Sequence, residues 1–335
     1  MCRSVLMALL LQSLLAGAAA FCDEGKIGGE PQKQFVNSIG MKLTLIPAGE
    51  FLMGSGETVE DLVTFFRNNY IEDLKATDLG FEDEHPRHRV RITRPFYMGT
   101  FHVTVGQFRR FVDQTHYKAD AEKGDRRGAW GWSDNEPRRD AFVEGRSWRN
   151  VGFPQTDDHP VVCVSWNDAV AFCNWLSHKE GHAYRLPTEA EWEYSCRAGT
   201  TTRYYSGNDP ETLAKVANIA DAAFKAKGLP ELFAGTIRAN DGYVFTAPVG
   251  RFTPNAFGLY DMHGNADQWC ADWDDSFYYA RSPRDDPTGP AHGHLRVLRG
   301  GSWRDGPLVT RSASRDGGAQ DGSGFEQGFR VARDK

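Results

Sequence analysis

The sequence predicts an α+β fold with little regular secondary structure. Three observations carry that expectation. Helix-capping boxes open several segments whose apolar residues recur at helical spacing. The strand-like stretches between them are short. From Thr200 onward the chain is punctuated by Gly, Pro, Asn and Asp, in a sequence with 35 Gly among 335 residues. Helices set into a loop-dominated, short-strand chain point to α+β rather than to a doubly wound or all-helical architecture. Neither a linker nor an internal repeat divides the chain, so one domain is expected.

Taken in order, residues 41–50 carry Leu43, Leu45 and Ile46 and end in the turn Pro47-Ala48-Gly49, which reads as a strand. Residues 58–74 place Val59, Leu62, Val63, Phe66, Tyr70 and Leu74 near helical spacing, and 88–92 alternate as a strand. Thr104-Val105-Gly106-Gln107 is a capping box ahead of a helix with Phe108, Phe111 and Val112 on one face. Residues 121–154 show no sustained period and read as a long surface excursion packed by Trp130, Trp132 and Trp148. Ser165 to Asp168 cap a helix running to about Lys179, burying Val170, Cys173, Trp175 and Leu176. Thr188 to Glu191 open another, with Trp192 and Cys196 one turn apart. Short strands are expected near 295–299 and 329–332.

Composition narrows the function. Hydrophobic residues make up 40% of the chain, enough for a folded core. With 39 Lys and Arg against 45 Asp and Glu the net charge is −6, which argues against nucleic-acid binding. Residues 1–20 read as a secretory signal, with Arg3, an apolar stretch and the small-residue site Ala18-Ala19-Ala20. Residues 21–36 read as a flexible lead-in and 37–335 as the domain. Cys22 follows the cleavage site, but Phe21 occupies a lipobox position that wants a small residue, so the expectation is an exported protein rather than a lipid-anchored one. Nothing after the signal is long and apolar enough to span a bilayer. The six cysteines (2, 22, 163, 173, 196 and 270) show no zinc spacing. Those in helical segments read as apolar packing.

Several motifs invite chemistry and do not support it. Gly54-Ser55-Gly56 lacks the Lys-Ser/Thr ending of a phosphate loop and reads as a turn. His85 and His88 beside Glu82, Asp83 and Glu84 read as a solvated acidic turn rather than a metal site. His178 and His182 are separated by the helix-ending Gly181. Asn218-Ile219 and Asp241-Gly242-Tyr243 are more informative, since they offer hard oxygen ligands and carbonyls in irregular backbone, as Ca²⁺ requires.

A set of ordered motifs then stands out. Asn37-Ser38-Ile39-Gly40-Met41 is followed by Ile46-Pro47-Ala48-Gly49-Glu50-Phe51, His85-Pro86-Arg87-His88 and Val103-Thr104-Val105-Gly106-Gln107-Phe108. Next come His159-Pro160-Val161-Val162, Arg185-Leu186-Pro187-Thr188-Glu189 and Asn255-Ala256-Phe257-Gly258-Leu259-Tyr260-Asp261. Gly264-Asn265-Ala266, Arg299-Gly300-Gly301-Ser302-Trp303 and Gly328-Phe329-Arg330-Val331 complete the series. Over roughly residues 35–335 the chain resembles the formylglycine-generating enzyme (sulfatase-modifying factor) family.

That resemblance implies a single C-type-lectin-like domain stabilised by Ca²⁺. It also implies, for active members, oxidation of a sulfatase cysteine with O₂ and a copper ion held by two cysteines after Gly-Gly-Ser. Here residues 302–315 contain no cysteine, and none occurs from 271 to 335. Copper is therefore not expected, because the thiolates that select Cu(I) are missing. The family's disulfide partners for Cys173 and Cys196 would fall near Val331 and Ser312, so both thiols should be free. The resemblance carries a first calcium site onto Asn218, Ile219, Asp241 and Tyr243, the second and last by carbonyl. A second maps to Gly264 and Ala266, with Gln268 in place of the family's acidic ligand. Trp269 and Ser302 match groove residues, Arg304 is a third groove candidate, and a core Trp and a turn Ser remain competing roles.

Three functions stay open. One is an exported, monomeric binding protein that takes a peptide or protein segment through the groove, with the Trp/Arg-rich excursion as part of its surface. Another is an oxidoreductase of divergent chemistry. The third is formylglycine generation with rearranged ligands around Cys270.

Overall fold

A computed structural model describes residues 33–75, 80–124, 127–132, 140–229 and 235–335. The stretch read as a secretory signal, Cys2 and Cys22 lie outside the described residues. Strand β1 (Gln34–Val36) pairs with β2 (Lys42–Ile46) in antiparallel register, Gln34 opposite Thr44. Strand β1 thus lies inside the stretch read as a lead-in. The reason is local: the turn at Asn37 to Gly40 folds 34–36 back onto an apolar strand, closed by Asn37 N–H to the Met41 carbonyl at 3.0 Å. The run expected at 41–50 is two strands, β2 and β3 (Gly49–Met53), broken by Pro47. Strand β3 pairs with β4 (His88–Ile92).

The central sheet has five strands in the order β1-β2-β5-β13-β8, where β5 is Phe96–Gly99, β8 Tyr184–Arg185 and β13 Ala332–Asp334. Residues along β5 serve two cores in alternation. Tyr97 packs with Phe108, Phe172, Leu176 and Val331 beneath helices α2 (Val105–Thr115) and α3 (Trp166–Glu180). Phe96 and Met98 pack on the other side, with Trp192, Cys196, Cys270 and Val297. A four-stranded sheet, β11-β10-β9-β12, lies behind that second core, with β9 Asp267–Trp273, β10 Arg296–Arg299, β11 Arg315–Gly318 and β12 Gln327–Gly328. The strand expected at 329–332 is divided into β12 and β13. Between them the Arg330 guanidinium reaches the carbonyls of Gly99 and Tyr260, both at 2.8 Å, which holds the backbone off a ladder.

The helix starts follow their boxes. Thr58 caps α1 (Val59–Asn69), Thr104 caps α2, Ser165 caps α3 and Thr188 caps α4 (Glu189–Arg197), each with the reciprocal side-chain bond at N3. Gly181 ends α3 at φ 69°, separating His178 from His182. Val170 and Trp175 are half-buried rather than buried, because α3 turns its full apolar stripe (Phe172, Cys173, Leu176) to α2 and the sheet. A short fifth helix, α5 (Ala222–Ala226), lies in the punctuated second half. The excursion is partly a hairpin, β6 (Gly128–Trp132) against β7 (Asp140–Glu144).

Charge is buried on purpose in this fold. Glu193 of α4 accepts from Gly54 N–H at 2.9 Å and Arg197 Nε at 2.8 Å, and also bonds Arg299. Glu189 bonds Arg315 through Nε at 2.6 Å, and Arg315 Nη1 lies 3.7 Å from Asp83. Glu84 and Arg311 form a bidentate pair at 2.6 and 2.7 Å, each 2% exposed. The acidic turn at 82–84 is therefore not simply solvated: its last carboxylate is a core ion pair, and burial pushes Asp83 up to about 7. Removing one partner of a buried pair leaves an uncompensated charge. Glu193→Gln should cost about 3–5 kcal/mol in urea unfolding; a loss below about 0.5 kcal/mol, typical of a surface position, would contradict this assignment.

Candidate functional site

The segment after β10 begins with Gly300 at φ 102° and Gly301 at φ 68°. A Cβ on Gly300 would stand 3.1 Å from the Met262 carbonyl, so this crossing favours glycine both by conformation and by space. The chain then folds on itself: Ser302 donates through N–H at 2.9 Å and Oγ at 2.6 Å to one oxygen of Asp305. Trp303 is fully buried in an aromatic cage, its ring 5.3 Å from those of Trp132, Phe153 and Phe245 and 5.5 Å from Phe325. Arg304 is buried over Phe325 and 3.5 Å from Glu326. Beside them Asp267 is pushed well above the usual carboxylate range by burial and by the charges of Asp305, Asp316 and Glu326.

These positions settle the groove candidates. Ser302 and Arg304 share one neighbourhood with Asp267, Asp305 and Glu326. Trp269 is a core residue: it is fully buried among the first core's residues and its Nε1 donates to the Val164 carbonyl at 3.0 Å. Its place on an apolar strand face, opposite Leu298 of β10, accounts for that. Asp267, Asp305 and Glu326 are the members that sequence reasoning missed, since isolated acids in loops look like turn formers.

The four cysteines among the described residues are all withdrawn from solvent. Cys163, Cys173, Cys196 and Cys270 are free and buried. Burial pushes Cys173 and Cys196 up to about 12 and raises Cys163 and Cys270 too. Cys196 Sγ lies 3.8 Å from Ser312 Oγ, and Cys173 shares a core with Val331. Cys270 sits in the second core instead of facing a groove. Among the described residues, no group of three or more His, Cys, Asp or Glu side chains converges as metal ligands.

Hard-oxygen sites are a separate matter. Asp241 accepts from Ile219 N–H and Tyr243 N–H, both at 2.9 Å, which gathers three of the four first-site residues. Asn218 joins them: its Oδ1 is buried with no hydrogen-bond partner, while its Nδ2 donates to the Phe245 carbonyl at 2.8 Å. Burial and the neighbouring Asp221 charge push Asp241 up to about 7. An orphaned buried oxygen next to a carboxylate of raised proton affinity fits a cation held by Asn218, Asp241 and the carbonyls of Ile219 and Tyr243. Asp221, which receives Asp241 N–H at 2.7 Å and caps α5, was not legible as part of this cluster.

The second set fits less well. Gln268 Oε1 already accepts from Trp192 Nε1 at 2.7 Å and Arg330 Nε at 2.6 Å, and the Ala266 carbonyl from His102 Nε2 at 2.9 Å. Gly264 packs on Asn218, whose carbonyl accepts from Asn265 N–H at 2.7 Å. The carboxylate oxygen left without a hydrogen bond in this neighbourhood is Asp261 Oδ1, not an atom of Gln268. If the first set holds Ca²⁺, Ca²⁺ should raise the melting temperature over chelator and Asp241→Asn should lose that rise. An equal rise in the variant would place the ion elsewhere.

Comparison with known proteins bears on the family and the fold. The family model described as "Sulfatase-modifying factor enzyme 1-like domain" matches residues 29–335. A formylglycine-generating enzyme of Streptomyces coelicolor is 34% identical over 308 residues, covering 86% of this chain and 88% of that protein. The "Inactive C-alpha-formylglycine-generating enzyme 2" of Bos taurus is 31% identical over 319 residues, covering 87% and 93%. The solved structure of PvdO from Pseudomonas aeruginosa superposes with a TM-score of 0.68 at 30% identity, over 92% of this chain and all of that one. On these grounds, an α+β fold with Gly-Gly-Ser crossing its core and no cysteine beyond it makes this chain a member of the sulfatase-modifying factor family that lacks the cysteine pair of its formylglycine-generating branch.

Proposed function

We propose that this chain is an exported family member that binds a peptide or protein segment and does not carry out copper-dependent cysteine oxidation. The observation that carries the reading is the segment 302–315. Where the resemblance puts two copper-binding thiols, this chain has Asp305 bonded to Ser302, and buried Arg311 and Arg315 in ion pairs. Carboxylate and guanidinium do not select Cu(I). A calcium ion held by Asn218, Ile219, Asp241 and Tyr243 would act as a structural tie in irregular backbone.

A recognition surface lies on the excursion. Trp130 is 53% exposed, yet its backbone is fixed to the C-terminal segment through Trp130 N–H to the Ser323 carbonyl at 2.9 Å and Phe325 N–H to the Trp130 carbonyl at 3.1 Å. An exposed, backbone-anchored Trp is the kind of residue that dominates a binding hot spot. Nearby, a cavity of about 280 Å³ is lined by Arg109, Trp148, Arg149 and Phe153. Trp132 has a different job: it packs on Trp303 and Phe325.

A second reading, an enzyme of divergent chemistry, is favoured by Asp267. A carboxyl whose proton affinity is raised by burial and by the neighbouring charges of Asp305, Asp316 and Glu326 is the kind of group that serves as a general acid or base toward a bound substrate. The two readings separate by variant. Under the first, Trp130→Ala loses capture of the exported partner with an unchanged melting temperature, and Asp267→Asn keeps capture. Under the second, Asp267→Asn removes turnover of the captured partner. Unchanged capture by Trp130→Ala would sink the hairpin as the recognition surface.

A further inference from the structure

A cavity of about 260 Å³ opens between the turn after β3, the loop following α4 and the C-terminal segment, and four arginines line it: Arg87, Arg197, Arg203 and Arg311. Three are neutralised. Arg197 bonds Glu193, Arg203 bonds Glu57 through Nε at 2.9 Å, and Arg311 bonds Glu84. Glu193 is shared further with Arg299, so it does not cancel a whole charge at the cavity. Arg87 has no carboxylate. It is half-buried, its Nε is sealed from solvent without an acceptor, and no described residue bonds its guanidinium. Burial and the Arg197 charge oppose its protonated state, while the charge of Glu193, which it does not hydrogen-bond, favours it.

Leaving a guanidinium in this position is costly unless something completes it. Gly56 makes the position possible: a Cβ there would stand 2.6 Å from Arg87 Nη1. An anion that accepts several N–H donors would complement this group, and a planar guanidinium matches a tetrahedral oxyanion in bidentate fashion. Thr201 and Asn208, at the mouth, add neutral polar groups. We propose that this cavity binds a phosphate or sulfate group, with Arg87 as its principal counter-ion and Arg197, Arg203 and Arg311 supplying the surrounding positive field. The site is separate from Ser302, Asp267 and the calcium residues, so its fate is independent of the functional reading above.

The test is calorimetric titration of the whole folded protein with inorganic phosphate, inorganic sulfate and acetate at matched ionic strength. One saturable site for phosphate or sulfate is expected, and the tighter of the two names the source of the ligand. Arg87→Gln should weaken it at least tenfold, and its ligand-free melting temperature should not fall, because the variant removes an uncompensated charge. Gly56→Ala, which displaces Arg87 while keeping its charge, should also weaken binding. Absence of saturable binding, equal affinity in Arg87→Gln, acetate as tight as both oxyanions, or a lowered ligand-free melting temperature in Arg87→Gln would each overturn the proposal.

Discussion

Two glutamates on one helix organise the second half of this protein. Glu189 and Glu193 are one turn apart on α4, both buried, and between them they engage Arg197, Arg299 and Arg315. The carboxylates thereby link the helix to β10, where Arg299 lies, and to β11, where Arg315 lies. Burial alone would raise the Glu189 carboxyl, but the Arg315 and Arg299 charges bring it below its ordinary value. A group of that kind contributes stability above its unfolded pKa and loses it as pH falls through the lowered folded value. Buried pairs of this sort contribute little net stability relative to apolar packing. Breaking any one of them leaves an uncompensated buried charge, so the pairs resist rearrangement of the elements they join.

This constraint ties together a loop-rich region in which the cysteines among the described residues are all free. The cysteines that the family resemblance would tie to the C-terminal segment lie against Ser312 and in the core beside Val331, so each bridge is replaced by packing. The segment following Gly-Gly-Ser is instead held by ion pairs and by Trp303 in its aromatic cage. Such a segment is stiff and well defined, and it presents carboxylates and guanidinium groups where thiols would otherwise be. The family's backbone course is kept, while the cysteine pair of its formylglycine-generating branch is absent from the sequence.

Much of the frame was legible because its signals are local. The reciprocal boxes at Thr104, Ser165 and Thr188 mark helix starts, and Gly181 marks a stop, each by backbone chemistry that operates wherever the residue sits. Strand β5 was not legible because both faces are buried, so Phe96, Tyr97 and Met98 show no alternation. Strand β9 was hidden for the opposite reason. It buries Gln268 and Asp272, whose partners, Trp192, Arg330 and the Glu189 N–H, come from distant parts of the chain. Asn218 and Asp241 were readable as hard oxygens in irregular backbone, whereas Asp221 and Asp261 look like any loop aspartate until the fold buries them. Trp269 matched a groove position by resemblance and turned out to serve the core, since an indole is equally suited to either role.

The central claim is that the family scaffold persists here without its copper chemistry. The most direct measurement is mass spectrometry of a Cys-x-Pro-x-Arg peptide incubated with the folded mature protein, Cu(I), a reductant and O₂. The account predicts that the peptide cysteine stays unmodified. Conversion of that cysteine to the formylglycine aldehyde would contradict it and require copper ligands other than the cysteine pair this chain lacks.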